Sequence, residues 1–302
     1  MNQQKALKSL KKVLVVRAFS LLAIIFSILL LPLTAMADDT KLQRAVYDVY
    51  AGGFHVVKAD LDIDLREANR YRMELTANTR GFIGKVAPWE GTFTTMGWYD
   101  AKTKSATPEM HKSWAHWKDE DEIKEYQYNR DGTFKEYRVT DKHHERELRE
   151  SPKELSDNTT DVMTAALEIM NTMPESGKCE GESEVFDGKR RFKMMFEDEG
   201  MTELKQSRYN IYSGPAVKCI VRVEPLGGAW HKKPRGWMSI QEQGKENGKM
   251  PTIWMANLTE GAPAVPVKVM VRSNYGALVM HMTRYENGGQ TILAEKQVDD
   301  DE

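Results

Sequence analysis

The sequence predicts a mainly β fold, in which one large curved, partly closed antiparallel sheet wraps around one short α-helix, with a signal peptide at the N-terminus. Three observations lead to this prediction. Apolar and polar residues alternate with a period of two in several runs, as in half-buried strands. Dipeptides such as Asp187-Gly188, which tolerate positive φ, join such runs in pairs. One run, residues 162–173, has helical spacing instead.

The chain opens with the features of a secretory signal peptide. Five basic residues and no acidic residue precede an apolar run at residues 21–33, and Ala35-Met36-Ala37 matches a small-x-small cleavage site. We expect cleavage after Ala37. The alternative is a retained membrane anchor, but an apolar run of about 13 residues, broken by Pro32, is shorter than the roughly 20 that a spanning helix needs.

The mature chain, residues 38–302, is acidic. Cleavage removes five of the 43 basic residues and none of the 45 acidic ones, which leaves an excess of about seven acidic groups. This charge disfavours binding to nucleic acid and electrostatic adhesion to anionic lipids. The length fits one large all-β domain as well as two smaller ones, and we expect a single β-rich envelope domain over residues 38–302.

The clearest alternation lies at residues 59–65, where Asp60, Asp62 and Asp64 separate apolar residues. Carboxylates at this spacing also occur in calcium loops, but such loops need a glycine at the sixth position and a distal glutamate, which this segment lacks. We therefore predict a strand with a solvated acidic face. Residues 71–75 return as the second strand of a hairpin.

The glycine-rich stretch at residues 79–95 follows that hairpin. It lacks the close glycine spacing of a phosphate-binding loop, and Pro88 disfavours a following helix. Glycines within strand-rich sequence often mark bulges or strong curvature. The stretch therefore predicts curved sheet without a helix.

The segment at residues 109–117 contains two histidines, His111 and His116. They could bind a metal ion together with Glu109 or Asp119. A strand whose aromatic residues face the core or the rim of a groove explains the same pattern, and it is the interpretation we favour. We expect no bound metal and no other cofactor. A hairpin at Asp131-Gly132 and the charged run around His143-His144, which predicts a solvated face, follow.

The predicted α-helix occupies residues 161–173. Thr160 is a suitable N-cap and Asp161 a suitable first helical residue. Apolar residues then recur at helical spacing up to Met173, and Pro174 and Gly177 indicate the end. The apolar face of this helix needs a partner, for which the concave face of the sheet is the natural choice. A methionine-rich face could also contact a ligand or another protein.

The stretch at residues 177–228 contains both cysteines, Cys179 and Cys219. Asp187-Gly188 joins two strands, and the alternation at residues 218–223 predicts a third. An exported chain folds in an oxidising compartment, and this one has no other cysteine, so we predict a disulfide between Cys179 and Cys219. The alternative is that either cysteine is a small buried apolar residue.

Strand patterns continue to the C-terminal region. Residues 237–240 are predicted to resume the sheet, and a valine-rich run follows at residues 265–271. Pro266 within that run indicates an edge or a bulge. A turn at residues 274–276 then lets residues 278–282 pair back.

Several of these motifs together resemble a known bacterial family. The chain contains, in order, YDVYAGGFHVVKADLDI, TRGFIGKVAPWEG, TTDVMTAAL, CEGESEVFDGKRRF, YNIYSGPAVKCIV and VPVKVMV. On these motifs it resembles the exported family catalogued as domain of unknown function 3108. The resemblance implies a mostly β, signal-bearing envelope protein of Gram-negative bacteria. It implies no catalytic residues, because none are established in the family.

Three functional hypotheses are consistent with the sequence. The favoured one is a non-catalytic periplasmic protein that supports envelope homeostasis and binds an apolar, lipid-like ligand in the curved sheet, at residues not yet assigned. The first alternative is an envelope scaffold that contacts other proteins through sheet edges or charged loops. The second is a hydrolase, which the lack of known catalytic motifs disfavours, although Asp187 and the turn at Ser213-Gly214-Pro215 could be taken for a catalytic pair.

Overall fold

The β-strands of the described chain join in one 15-stranded sheet. The computed structural model describes residues 41–233, 237–273 and 276–294. The strands are β1 (Leu42–Ala51), β2 (Phe54–Asp64), β3 (Arg70–Thr79), β4 (Trp89–Asp100), β5 (Ser105–Trp117), β6 (Glu120–Tyr128), β7 (Phe134–Asp141), β8 (His144–Arg149), β9 (Gly181–Phe186), β10 (Arg190–Leu204), β11 (Gly214–Gly228), β12 (Thr252–Ala256), β13 (Val265–Ser273), β14 (Gly276–Asn287) and β15 (Gln290–Ala294). The helices in these ranges are α1 (Gly81–Val86), α2 (Lys153–Ser156), α3 (Val162–Ser176) and α4 (Trp237–Asn247).

The order of strands in the sheet largely follows their order in the chain. β8 to β1 are consecutive neighbours, and β14 to β9 continue on the other side of β1, with β15 paired to β14. All of these strand pairings are antiparallel, and β8 and β9 are the two ends of the order. The sheet is therefore open. The prediction of a mainly β fold built on one large antiparallel sheet is confirmed.

Burial with a period of two explains why these residues form strands. In β2, Ala59, Leu61 and Ile63 are buried on what we call the inner face, and the aspartates between them are partly exposed on the outer face. There the carboxylate of Asp60 accepts a hydrogen bond from the Arg44 guanidinium at 2.8 Å. The predicted hairpin is present as β2–β3.

The core lies between the inner face of the sheet and α3. Ala165, Leu167 and Met170 of α3 are buried in one cluster with the inner side chains of the strands. Removing this helical face from water is the main reason that the helix is stable, because isolated helices of this length are marginal. The helix pattern found in the sequence therefore faces the sheet.

The N-terminus of α3 lies one residue later than predicted. Asp161, not Thr160, is the N-cap: its Oδ1 accepts hydrogen bonds from the backbone N–H groups of Met163 at 2.9 Å and Thr164 at 3.0 Å. Both residue types are good caps. The aspartate is the one whose side chain reaches the first-turn amides.

The predicted end of α3 before Pro174 is wrong. The helix continues through Pro174 to Ser176, and it ends at Gly177, whose φ of 68° suits glycine. A proline cannot donate the backbone hydrogen bond to the carbonyl four residues earlier. That carbonyl, on Met170, instead accepts a hydrogen bond from Ala264 at 2.7 Å. The connection between β12 and β13 thus compensates for the proline.

Side chains bring the two ends of the open sheet together. The ring of Phe134 in β7 lies 5.3 Å from that of Phe186 in β9. The hydroxyl of Tyr126 in β6 donates a hydrogen bond to the Asp187 carbonyl at 2.9 Å. A Cβ added to Gly188 would come within 2.7 Å of a tyrosine ring of β7. The β9–β10 turn therefore packs directly on β6 and β7.

Two segments predicted without helix are helical. α1 lies within the glycine-rich stretch, and Pro88 does not prevent it because the helix ends at Val86, before the residues that the proline restricts. α4 begins at Trp237, where a strand was predicted, and continues to Asn247. Residues 237–240 alone are too few to distinguish a period of two from one of 3.6.

The predicted signal peptide, residues 1–37, and the centre of the predicted turn at residues 274–276 lie outside the described residues. The chain divides after Ala37, and the part that begins at Asp38 forms one compact unit by itself. No helix in the described ranges is both long enough and apolar enough to cross a membrane.

Candidate functional site

A groove with an apolar lining opens on the inner face of the sheet, next to the first residue of α3. Its volume is about 420 Å³, within the range of small-ligand sites. β10 and β11 form the floor, and α4 and the chain that follows β11 form the walls. The lining residues are Val162, Arg190, Phe192, Met194, Val221, Val223, Trp230, Trp237 and Met238.

The alternation of two paired strands produces the floor of this apolar groove. Met194 of β10 and Val223 of β11 are direct partners in the strand register. The intervening side chains lie on the outer face, where the Lys193 ammonium pairs with Glu182 at 3.1 Å. The same pattern that builds the core therefore continues as an apolar surface beyond the start of α3.

α4 forms one wall because Gln241 binds the edge of β11. Its Oε1 accepts a hydrogen bond from the Val223 N–H at 2.7 Å, and its Nε2 donates one to the Val223 carbonyl at 2.9 Å. β12 pairs only with residues 217–220 of β11, so the buried Gln241 amide takes the place of a neighbouring strand beyond that point. This anchor holds Trp237 and Met238, one turn earlier, against the groove.

Trp230 and Arg190 form the rim. The Trp230 indole N–H donates a hydrogen bond to the Gly227 carbonyl at 2.7 Å, which fixes the ring. The Arg190 guanidinium lies 4.8 Å above the centre of that ring, and its Nε donates to Asp187 Oδ2 at 2.7 Å. A guanidinium has five N–H donors. Arg190 can therefore hold Asp187 and an anionic group of a ligand together.

The indole Nε1 of Trp237 is buried, and no atom of the described residues accepts its hydrogen. A buried N–H without a partner costs stability. The groove itself offers an apolar floor and one cationic rim residue, an arrangement that suits an amphipathic acid.

The two cysteines lie directly beside this site. Cys179 and Cys219 are at disulfide distance, with their Cα atoms 5.8 Å apart, and both are fully buried. Cys219 precedes the groove residue Val221 in β11, and the Cys179 N–H donates to Asp198 Oδ1 at 3.0 Å. The pair fastens the chain after α3 to a strand of the groove floor.

The residues considered as metal ligands do not share a site. His111 faces inward, with Nδ1 3.4 Å from Asp161 Oδ1, whereas Nδ1 of His116 lies 2.9 Å from Asp121 Oδ1 on the outer face. The hydrogen bond with Asp121 raises the pKa of His116. Glu109 pairs with an arginine of β3 instead. Within the described ranges, no three His, Cys, Asp or Glu side chains gather as a metal ion requires.

A buried polar network around the α3 N-cap was missed in the sequence. Thr95 donates a hydrogen bond to Asp161 Oδ2 at 3.0 Å, Thr164 donates to the same oxygen at 2.5 Å, and the hydroxyls of Tyr71 and Thr164 lie 2.7 Å apart. Burial, with the nearby Asp161 charge, raises the pKa of Tyr71. The network ties the start of α3 to β3 and β4. Its members are far apart in the chain, so only the cap itself leaves a local signal.

The structure does not bring together the pair considered for a hydrolase. Asp187 precedes the start of β10, which pairs with the end of β11 through Arg190 and Gly228. Ser213 precedes Gly214, at the opposite end of the same two strands. The full length of the strands separates the serine from the aspartate.

A wider depression of about 780 Å³ lies on the outer face of β1, β2, β14 and β15. Four of its charged side chains form two ion pairs: the Arg44 guanidinium lies 2.8 Å from Asp60, and Arg284 pairs with Glu286. These pairs are partly exposed to water. The depression is a solvated polar surface, unlike the apolar groove.

Comparison with known proteins gives a family. No curated protein matches the chain. Among solved structures, the chain is similar to a crystal structure described as a beta-barrel-like protein of domain of unknown function DUF1849 from Brucella abortus, with 10% sequence identity and a TM-score of 0.45, over 82% of this chain and 97% of that chain. The family described as protein of unknown function (DUF3108) matches residues 46–283. The resemblance drawn from the sequence motifs is confirmed, and the chain belongs to the DUF3108 family.

Proposed function

We propose that this chain is an exported, non-catalytic envelope protein that binds a lipid-like ligand with an acidic head group. The apolar groove is the observation that carries the proposal. Transfer of one methylene group out of water contributes about 0.8 kcal/mol, so about eight methylenes in the groove would contribute roughly 6 kcal/mol before the cost of association. Association costs about 4 kcal/mol or more, so the acyl chain and the head group must both contribute to binding.

The rim supports an acidic head group. Arg190 stands at the mouth of the groove with N–H donors beyond those that Asp187 uses. Lys232 and Lys233 follow Trp230 in the chain and are exposed. Charge-assisted hydrogen bonds to a carboxylate or phosphate are stronger than neutral ones. The acyl chain would lie along Phe192 and Met194, and the acid would remain at the rim.

The periplasm is the proposed compartment. The sequence pattern of residues 1–37 supports export, and the buried cysteine pair supports an oxidising compartment, where disulfides persist. Osmotic-shock fractionation with N-terminal sequencing tests this, with release of a chain that begins at Asp38 as the expected result. Recovery only in detergent, with Met1 at the N-terminus, would contradict it.

Two measurements test the ligand. Lipid extraction and mass spectrometry of protein purified from the periplasm should release a stoichiometric acidic amphiphile. In solution, a fatty acid with bromine on its chain should quench the fluorescence of Trp230 and Trp237, which line the groove. A protein that yields no amphiphile, shows no quenching and captures envelope proteins would support the scaffold alternative instead.

A matched pair of variants locates the binding site. Val223→Asp puts a charge on the groove floor, and Ile220→Asp puts the same charge on the other face of β11, at a residue that is similarly half-buried. We expect the first to weaken fatty-acid binding by about tenfold or more, the equivalent of about 1.4 kcal/mol. The second should bind as the unchanged chain does. Equal affinities of the two variants would exclude the groove.

A further inference from the structure

Large apolar side chains are exposed together at one end of the sheet. Phe54 is 76% exposed, Phe82 74%, Val86 59% and Trp117 47%. They come from three separate connections: the β1–β2 turn, α1 between β3 and β4, and the β5–β6 turn. We call these four residues the apolar tip.

The strand pairing makes these connections neighbours. In an antiparallel sheet the end of one strand lies beside the start of the next, so all three connections lie at the same end of β1 to β6. Trp117 of the tip is the register partner of Trp89, the first residue of β4. The residue before α1 donates its N–H to the Val56 carbonyl at 2.8 Å, which places α1 beside the strand that begins with Phe54.

The apolar tip is held outward by specific contacts. The Thr79 hydroxyl accepts a hydrogen bond from the Trp89 N–H at 2.9 Å and lies 3.2 Å from the Ala87 carbonyl, which closes the base of the α1 connection. A Cβ on Gly81 would lie 2.9 Å from the His55 carbonyl, so the start of α1 is packed against β2. Phe82 and Val86 therefore project from an anchored segment.

Basic side chains lie beside the tip. Arg80, Lys85 and Lys118 are exposed, and no side chain of the described residues pairs with them. Two neighbouring carboxylates of β6 pair with lysines, Glu120 with Lys142 and Glu122 with Lys124, and Asp121 shares a hydrogen bond with His116. Glu90 and Asp119 remain as exposed acids without such partners in the described chain. Arg80, Lys85 and Lys118 can thus contact lipid phosphates without breaking an ion pair within the described residues.

We infer that the apolar tip docks this protein onto the surface of a lipid bilayer that contains anionic phospholipids. Phenylalanine and tryptophan partition into the interfacial layer, and basic side chains beside them reach the phosphates. The acidic net charge of the whole chain opposes such contact only weakly, because the surface potential of a membrane decays within a Debye length and acts on the nearest charges.

The apolar groove lies at the same end of the strands. Arg190 begins β10, Trp230 follows the end of β11, and both strand ends lie at the end of the sheet that carries the tip. Docking through the tip would bring the groove close to the lipid. The docking proposal itself does not depend on a ligand in the groove, because none of the four tip residues lines it.

Vesicle flotation tests the proposal. A chain that begins at Asp38, which contains every described element, is mixed with vesicles of phosphatidylethanolamine with and without phosphatidylglycerol. We expect the protein to float with the anionic vesicles and less with the neutral ones. Phe82→Asp should reduce the bound fraction by about tenfold or more, because the variant loses the free energy of moving one large apolar side chain from water into the membrane interface. Phe54→Asp, in a different connection, should act in the same direction.

Met201→Asp is the matched control. Met201 is 63% exposed in β10, outside the tip, and receives the same charge change. It should float as the unchanged chain does. Equal loss in this control, or unchanged flotation of both tip variants, would overturn the proposal. Failure of the unchanged chain to bind either vesicle would also overturn it and would leave the tip as a surface for a protein partner.

Discussion

Removing the cysteine pair should lower the free energy of unfolding by about 4 kcal/mol. Cys179 and Cys219 are 40 positions apart in the chain. A cross-link over such a loop removes about 13 cal/mol/K of entropy from the unfolded chain, which is about 4 kcal/mol at 25 °C. The alanines of a Cys179→Ala, Cys219→Ala double variant would also leave a small cavity at two fully buried positions, which adds to the cost.

The assay is equilibrium unfolding in guanidinium, followed by tryptophan fluorescence and by thermal melting. In a domain of this size, 1 kcal/mol lowers the melting temperature by about 2–4 °C, so the double variant should melt roughly 8–16 °C lower. Either single variant should match the double one, because loss of one sulfur breaks the bond. The unchanged chain under reductant should approach the same value.

Two results would refute this reasoning. Two free thiols in denatured, unreduced protein from the periplasm would show that the bond does not form. A double variant within about 0.5 kcal/mol of the unchanged chain would show that the bond forms but that restriction of the unfolded chain does not stabilise the fold.

Buried polar groups give three further predictions. Burial raises the pKa of the Glu168 carboxyl, so ionisation of this carboxyl destabilises the fold as pH rises. Glu168→Gln should therefore increase the free energy of unfolding at neutral pH. Urea titrations at several pH values should show that this gain vanishes below the pKa of a free glutamate. A gain that is equal at every pH would contradict this. Gln241→Ala leaves the Val223 N–H and carbonyl without their partner and should lower the free energy of unfolding by about 2–4 kcal/mol. It should also speed proteolysis within α4. An unchanged cleavage rate would argue against the role of Gln241 as an anchor. Tyr126→Phe removes the hydrogen bond to the Asp187 carbonyl and should cost about 1 kcal/mol in the same urea titrations. An unchanged free energy of unfolding would mean that packing between the sheet ends holds them together without this hydrogen bond.

The strands were predictable because their signals are local. In β2 the alternation of apolar residues with Asp60 and Asp62 indicates both the strand and its buried face within seven residues. In β9–β10 the Asp187-Gly188 dipeptide marks the turn, and Asp187 accepts the Arg190 N–H at 2.8 Å, a contact between near neighbours. Such features need no knowledge of the rest of the chain.

The elements that the sequence did not predict depend on distant partners. α3 continues through Pro174 because Ala264 supplies the hydrogen bond that the proline cannot. α4 is fixed by Gln241, whose role arises only because the pairing of β12 with β11 stops at Ile220, before Val223. In both cases the partner is distant in the sequence, so the residues near the helix do not reveal it. The groove residues were unassigned for the same reason, although two tryptophans close together in the chain, Trp230 and Trp237, were an available hint.

The position of the groove follows from a mismatch in strand length. β11 extends past β12, and an unpaired strand edge invites association with other chains. α4 covers that edge through Gln241. Its first turn lies over the inner face of β10 and β11, next to the first residue of α3. The same helix therefore protects an edge and encloses an apolar space. A ligand that contacts Trp237 would stabilise α4 on the edge, so occupancy of the groove and protection of β11 should rise together.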